Sequence, residues 1–221
     1  MTLNAAVLKN TSKWFTQNLI ATSLLVTSCL VTPTVIANEK AEVDNYTIEV
    51  VVFQSRATKG WTEELWPNEI ELPNTTNSVD LDRPGKAPLW IQDRNTKLTS
   101  VVGKMQRDYR ILFHKAWTQN SFTPAKTPAI LIDRSYKDLT NITGTVQLYK
   151  TRFAHVKFDL EFERMIPESI REAFAYNQMV NIEDLPTYWR FKLAEQRKIK
   201  PGELHYIDHP LFGILVKIKK N

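Results

Sequence analysis

The sequence is poor in cysteine and glycine, with a single cysteine, Cys29, and six glycines in 221 residues. One thiol excludes an intramolecular disulfide and a zinc site built from several thiolates, because each needs at least two sulfurs in one chain. The phosphate-binding pattern Gly-x-Gly-x-x-Gly and the nucleophile patterns Gly-x-Ser-x-Gly and Ser-x-x-Lys are also absent. These absences argue against a disulfide-stabilised module, a dinucleotide enzyme and the common serine acyltransferases.

The sequence also lacks a strong charge of either sign. The 29 Lys and Arg residues exceed the 24 Asp and Glu residues by five, a surplus too small to indicate nucleic acid binding. With 43% hydrophobic, 24% charged and 10% aromatic residues, the composition is typical of one or two globular domains and excludes a disordered, collagenous or coiled-coil chain.

What the N-terminus does contain is the pattern of a secretory signal peptide. Lys9 and Lys13 precede an uncharged apolar run over 19–30, Pro33 follows, and Val35-Ile36-Ala37 places small or β-branched side chains before a cleavage point. The pattern predicts a signal peptide over 1–37 that is cleaved after Ala37. Cleavage there would leave 184 residues without a thiol at a net charge of +3, which suits an oxidising compartment.

Two other interpretations of this N-terminal segment stay open. Val26-Thr27-Ser28-Cys29 resembles a bacterial lipobox, in which Cys29 would be lipidated and tether the mature chain. An uncleaved membrane anchor is the third interpretation, but the apolar run is diluted by Thr and Ser and is shorter than the roughly 20 residues that span a bilayer. The first two interpretations both predict an exported chain without a transmembrane segment after processing.

The periodicity after residue 38 predicts a single α+β domain over 38–221, with a mainly antiparallel β-sheet and one or two packed helices. The run 46–54 is apolar and β-branched, as expected for a central strand buried on both faces. A helix is expected at about 96–108 with Asn95 or Asp93 as its N-cap, and a strand at 109–117 should place Ile111, Phe113 and Trp117 on one face. The other predicted elements are a strand at 129–132, a hairpin at 145–162, a short helix at 167–174, a strand at 187–199, a type II turn at 200–203 and a strand at 212–218.

Between about residues 60 and 93 the sequence has no sustained period and is rich in Trp and Pro. Structureless loops of more than about 12–15 residues are usually functional or disordered. Trp61, Trp66 and Trp90 indicate that this loop packs onto the domain, or alternatively that it presents an aromatic platform on which sugar rings stack.

The densest group of ligand-type side chains is His205, Tyr206, Asp208 and His209. We expect these residues either to contact a ligand or to serve the local turn structure. On a strand that rises roughly 3.3 Å per residue, His205 and His209 would lie about 13 Å apart, too far for one metal ion. We therefore predict neither a metal nor a cofactor, although a metal-dependent hydrolase using this cluster remains an alternative.

Two further charged groups have both a functional and a structural interpretation. Arg190 belongs to a basic group near the C-terminal turn that could face carboxylates of a ligand or simply line a solvated strand edge. Asp159, Glu161 and Glu163 alternate along one strand, and such acids more often form a solvated face than a catalytic pair. We predict no catalytic residue.

The segment 202–216, Gly-Glu-Leu-His-Tyr-Ile-Asp-His-Pro-Leu-Phe-Gly-Ile-Leu-Val, resembles the C-terminal signature of the CsiV family of periplasmic peptidoglycan-binding proteins of Gram-negative bacteria. Similarity extends, with less specificity, to 48–54, 109–117 and 144–162. The resemblance implies a non-enzymatic protein that binds the cell wall and supports a class A penicillin-binding synthase through its outer-membrane lipoprotein activator. It carries over no binding residues, and the lipobox-like segment departs from a soluble family member.

The hypothesis from the sequence is a non-catalytic periplasmic peptidoglycan-binding protein with a role in cell-wall biogenesis and cell shape. Its candidate ligand-binding residues are His205, Tyr206, Asp208, His209, Arg190, Trp61, Trp66 and Trp90. The alternatives are a protein-interaction scaffold of the envelope that binds no glycan, and the metal-dependent hydrolase.

Overall fold

The computed structural model describes residues 43–83, 87–138 and 140–221. The predicted signal peptide, Cys29 and the Ala37 cleavage site lie outside these residues, so they remain predictions. Among the described residues, no helix combines the length and the apolar character needed to cross a bilayer. Residues Ala41–Asn221 group into one compact unit.

The described residues form nine strands: β1 Asn45–Ser55, β2 Gln92–Arg94, β3 Tyr109–Asn120, β4 Ile130–Ser135, β5 Asn141–Lys150, β6 Ala154–Met165, β7 Tyr188–Lys198, β8 Leu204–Asp208 and β9 Phe212–Lys220. They form two sheets, sheet A with the order β2-β3-β1-β9-β8 and sheet B with the order β4-β5-β6-β7. All ladders between these strands are antiparallel, and 46% strand with 13% helix confirms the predicted α+β class.

The inner faces of the two sheets share one hydrophobic core, because each long strand alternates apolar and polar side chains. On β6 the predicted inward residues Ala154, Val156, Phe158, Leu160 and Phe162 are all buried, and the intervening residues point outward. On β1, Ile48, Val50 and Val52 face this core. The sequence pattern therefore predicted the core-facing side of β6, though not the division of the strands between two sheets.

The outer face of sheet A is partly covered by α1 (Thr99–Met105), which buries Val51 and Phe53 against Leu98 and Val102. This explains why β1 is apolar on both faces. The helix is shorter than predicted, and its N-cap is Leu98 rather than Asn95 or Asp93. The carboxylate of Glu49 on β1 accepts the N–H groups of Lys97 and Leu98 just before the helix, a tertiary contact that local sequence does not reveal.

One face assignment on β3 is wrong. The register of β3 against β1 shifts between Val52 and Phe53, so one extra residue of β3 is accommodated there. As a result Phe113 and Trp117 face the shared core, whereas Ile111 packs on the opposite side with the α1 cluster.

The long loop after β1 begins with a short 3-10 helix, Lys59–Thr62, that packs against α2 (Arg171–Gln178). Trp61 meets Phe174 of α2 edge-to-face at a centroid distance of 5.3 Å, and Phe191 of β7 at 5.2 Å. These contacts fix the start of the loop to the core.

Candidate functional site

The C-terminal motif places Tyr206 on the outer face of sheet A. Tyr206 pairs with Leu215, which packs against the α1 side of the sheet, whereas its neighbour His205 pairs with the core residue Val216. Because side chains alternate along a strand, Tyr206 and Asp208 share the outer face and His205 faces inward. Tyr206 is 49% exposed although its strand is paired along its length with β9.

The Tyr206 ring is held in place by neighbouring aromatic rings and by a glycine. It stacks on Phe53 at a centroid distance of 6.1 Å and an interplanar angle of 15°, and Tyr109 supports Phe53 edge-on at 4.9 Å. Gly213 makes room for this stack, since a Cβ at that position would lie 2.5 Å from Phe53 Cζ and 2.9 Å from Tyr206 Cε2. The stack orients an exposed ring rather than leaving it mobile.

The Tyr206 hydroxyl donates a hydrogen bond to the carboxylate of Asp208. Burial, and then this hydrogen bond, raise the pKa of Tyr206 well above its usual range. The hydroxyl therefore stays protonated at physiological pH. An exposed aromatic ring beside a solvent-facing carboxylate suits a sugar, whose C–H face stacks on the ring and whose hydroxyls donate to the carboxylate.

A cationic cleft lies on the same outer face of sheet A, and we call it the lysine cleft. Its cavity volume is about 420 Å³, and its basic lining residues are Arg94, Lys97, Lys217 and Lys219. Its floor includes Thr47 and Glu49 of β1, which pair with Lys219 and Lys217, respectively. Lys217 also pairs with Leu204 of β8, two residues before Tyr206, so the cleft and the Tyr206 ring are neighbours on one surface.

A family model described as "Peptidoglycan-binding protein, CsiV" matches residues 19–221, nearly the whole chain. The chain belongs to the CsiV family. No curated protein and no solved structure shows significant similarity to it. The match confirms the resemblance drawn from the C-terminal segment, and it identifies a family of peptidoglycan-binding proteins.

The two histidines of this CsiV-family chain occupy separate surroundings. His205 Nε2 accepts the Lys200 N–H at 3.2 Å, which fastens the turn before β8. His209 stacks on Trp66 at 5.3 Å and accepts the Leu211 N–H through Nδ1. Burial lowers the pKa of His209 to about 4, so it is neutral at physiological pH. Within the described ranges no group of three or more acidic, His or Cys side chains is arranged to hold a metal ion.

Of the three loop tryptophans, two are in the core. Trp61 is fully buried, and Trp66 is almost so, with its Nε1 donating to the Trp61 carbonyl at 2.9 Å. Neither ring offers a face to a sugar in this structure, and both anchor the loop. Trp90 is half-buried against Phe122 in a shallow hollow of about 500 Å³, so it alone of the three keeps an accessible ring.

Arg190 lies apart from the other candidates, on the outer face of sheet B. Its Nε is 3.2 Å from Glu161 and 3.0 Å from Glu163, and the adjacent Lys192 pairs with Asp159 at 2.5 Å. The alternating acids of β6 are therefore matched by the alternating bases of β7, as expected for a polar outer face. Burial raises the pKa of Glu161.

The basic residues of the lysine cleft were missed as candidates. The sequence pattern could have identified Lys217 and Lys219, because they alternate with the core residues Val216 and Ile218 and so had to face outward. No local sequence pattern identifies Arg94 and Lys97, since only the pairing of β2 with β3 brings them to the same face.

Proposed function

We propose that this chain is a non-catalytic periplasmic accessory protein that binds peptidoglycan and supports its assembly by a class A penicillin-binding synthase, through that synthase's outer-membrane lipoprotein activator. Membership of a peptidoglycan-binding family supports the wall contact. The predicted signal peptide supports the periplasmic location. The absence of nucleophile motifs from the sequence and the ion pairing of the β6 acids support a binding role rather than catalysis.

The observation that carries the wall contact is the exposed Tyr206 ring, backed by Phe53 and hydrogen-bonded to Asp208. It combines a stacking surface with a hydrogen-bond acceptor, the two groups that sugar recognition requires. Asp208 extends the acceptor side of this site. Trp90 is a second, separate position at which a glycan ring could stack.

Retention on purified sacculi tests this assignment, using protein purified from cells that express the full sequence. We expect Tyr206→Ala to weaken retention by about 3- to 10-fold, because a stacked aromatic ring contributes about 0.5–1.5 kcal/mol. Tyr206→Phe keeps the ring and should retain most of the binding. Tyr176→Ala, which removes an even more exposed tyrosine ring from α2, is the control and should bind as wild type.

Two outcomes would contradict the proposal at different levels. Unchanged retention of Tyr206→Ala would remove Tyr206 from the wall contact. Wild-type retention no better than that of an unrelated protein of similar charge would overturn direct wall binding and favour the alternative of an envelope scaffold.

We assign the contact with the lipoprotein activator to an apolar patch formed by Leu65, Tyr176 and Met179. These side chains are 62%, 89% and 83% exposed and line one shallow hollow between the long loop and the end of α2. Exposed clusters of large apolar residues commonly mark protein contacts. Three exposed glutamates lie close to this patch in the sequence: Glu63, Glu64 and Glu172. Their negative charge favours a partner with basic residues around its contact surface.

Capture of the purified activator by the immobilised chain tests this patch. We expect the double variant Leu65→Ser, Tyr176→Ser to lose capture while it keeps sacculus retention. Capture at the wild-type level would exclude the patch as the docking site.

A further inference from the structure

The lysine cleft gathers several basic side chains that are not paired with carboxylates. Several lysines on other faces do meet carboxylates, as in Lys115 with Asp82, Lys150 with Asp44 and Lys192 with Asp159. Within the described ranges, Lys97, Lys217 and Lys219 form no ion pair. Arg94 donates only to neutral oxygens, the Gln92 side chain at 3.0 Å and the Asp93 carbonyl at 3.2 Å.

The one carboxylate in the cleft floor is already bonded on the α1 side. Glu49 Oε1 accepts the Leu98 N–H at 2.8 Å and contacts His114 Nε2 at 2.8 Å, and Oε2 accepts the Lys97 N–H at 3.0 Å. Glu49 is 5% exposed and lies opposite Lys217, but no ion pair joins the two. The cleft thus presents four cations to solvent with their charge largely uncompensated.

The spacing of these cations suits a ligand with more than one carboxylate. Lys217 and Lys219 are two residues apart on one strand face, which separates their Cβ atoms by roughly 7 Å. Arg94 and Lys97 approach from the other wall of the cleft. The stem peptides of peptidoglycan carry several free carboxylates on a short, extended backbone, whereas its glycan strands present mainly neutral hydroxyl and acetamido groups.

We propose that the lysine cleft binds the carboxylates of the peptidoglycan stem peptide while the neighbouring Tyr206 ring contacts the sugar that bears it. The site therefore recognises the disaccharide-peptide unit rather than the glycan alone. This inference rests on the proposed wall binding, and it adds the ligand class and the residues of a second subsite.

Binding of soluble muropeptides, followed by calorimetry with protein made from the full sequence, tests the subsite. Three ligands are compared: a disaccharide-peptide, the same compound with its carboxylates amidated, and the disaccharide without peptide. We expect amidation or removal of the peptide to weaken binding to wild type by about tenfold or more, because the ligand then loses its charge-assisted contacts with the cations of the cleft. Raising the salt concentration should weaken only the unmodified ligand.

The double variant Lys97→Ala, Lys217→Ala tests the residues. It should bind the unmodified disaccharide-peptide about tenfold more weakly than wild type and should no longer distinguish it from the amidated form, as expected when both changes remove the same interaction. Lys104→Ala, Lys157→Ala removes two exposed lysines from other surfaces and is the matched control. Thermal unfolding checks that both variants are folded.

The outcomes separate this inference from the proposed function. Wild type that is retained on sacculi but binds the three ligands equally would overturn the carboxylate subsite and leave wall binding intact. Equal binding to vesicles of anionic phospholipid would show a general anion surface and would also overturn it. Failure of wild type to bind sacculi at all would remove both.

Discussion

His209 shows how a residue selected for its ligand chemistry can serve the core instead. Its ring lies between Trp66 of the long loop, at a centroid distance of 5.3 Å, and Phe212 of β9, at 4.3 Å. The pKa of about 4 follows from this burial, which the nearby Asp208 carboxylate only partly offsets. His209 is a neutral hydrogen-bond acceptor that ties the motif to the long loop.

The depressed pKa of His209 makes stability depend on pH in a defined window. The unfolded chain takes up the proton near the ordinary pKa of 6.5, whereas the folded chain resists it down to about 4. Stability from this group is therefore full above pH 6.5 and is lost as the pH falls towards 4, by about 3 kcal/mol in total. The free energy of urea unfolding, measured across this window, should fall more steeply for wild type than for His209→Gln. Parallel pH profiles for the two proteins would contradict the assignment.

At the scale of one element, α2 ends in an unfavourable conformation that leaves an apolar side chain in water. Met179 follows Gln178 with φ of 57°, in the left-handed region, and its side chain is 83% exposed. The turn itself is well bonded, because Gln178 accepts the Trp66 N–H at 2.8 Å and donates to the Glu64 carbonyl. Glycine is the residue that this position normally favours.

Replacing Met179 by Gly should stabilise the fold and weaken the partner contact together. The left-handed conformation costs an L-residue about 1–2 kcal/mol, and little packing is lost from an exposed side chain, so the melting temperature should rise by about 2–8 °C. Asn77→Gly, at a φ of 62°, is the control and should gain less because Asn tolerates this region. A lower melting temperature for Met179→Gly would show that the side chain packs on the fold. Activator capture by the same variant should decrease.

At the scale of the whole molecule, the long loop is integrated into the domain through its first turn. Trp61 touches α2 and sheet B, and the Arg164 guanidinium lies 5.5 Å from its ring. Trp66 then extends the contact to His209 in the C-terminal motif. These few aromatic contacts therefore join the long loop to α2, to β7 of sheet B and to His209.

Loss of Trp61 should therefore destabilise the entire domain. We expect Trp61→Ala to lower the free energy of unfolding by about 3–5 kcal/mol, the usual cost of deleting a buried aromatic side chain. Trp61→Phe should cost much less, since Trp61 Nε1 has no hydrogen-bond partner among the described residues. Trp90→Ala, at a half-buried position, is the comparison and should cost less than Trp61→Ala in the same urea titration. Equal costs would contradict the anchoring role.

The strands and their inward faces could be predicted from alternation, as β6 and β9 show. The bulge that turns Ile111 away from the core depends on the β1–β3 pairing and leaves no local pattern. The N-cap of α1 is Leu98, whose N–H is bonded by Glu49 from about fifty residues earlier, so the local candidates Asn95 and Asp93 were wrong. Tyr206 and Asp208 were identified as candidates from their chemistry, but the lysine cleft needs residues from four strands and a loop, which only the fold brings together.

The position of β9 between β1 and the edge strand β8 also affects how the domain can fold. Thr47 on β1 bonds to Asn221 across 174 residues, and β9 separates β1 from β8 in sheet A. During synthesis from the N-terminus, one edge of the apolar β1 stays unpaired until β9 has emerged, and contacts this distant in sequence form slowly. Sheet A, and with it the lysine cleft, is therefore completed only after β9 has been made, and until then the open edge of β1 is available for pairing with another chain.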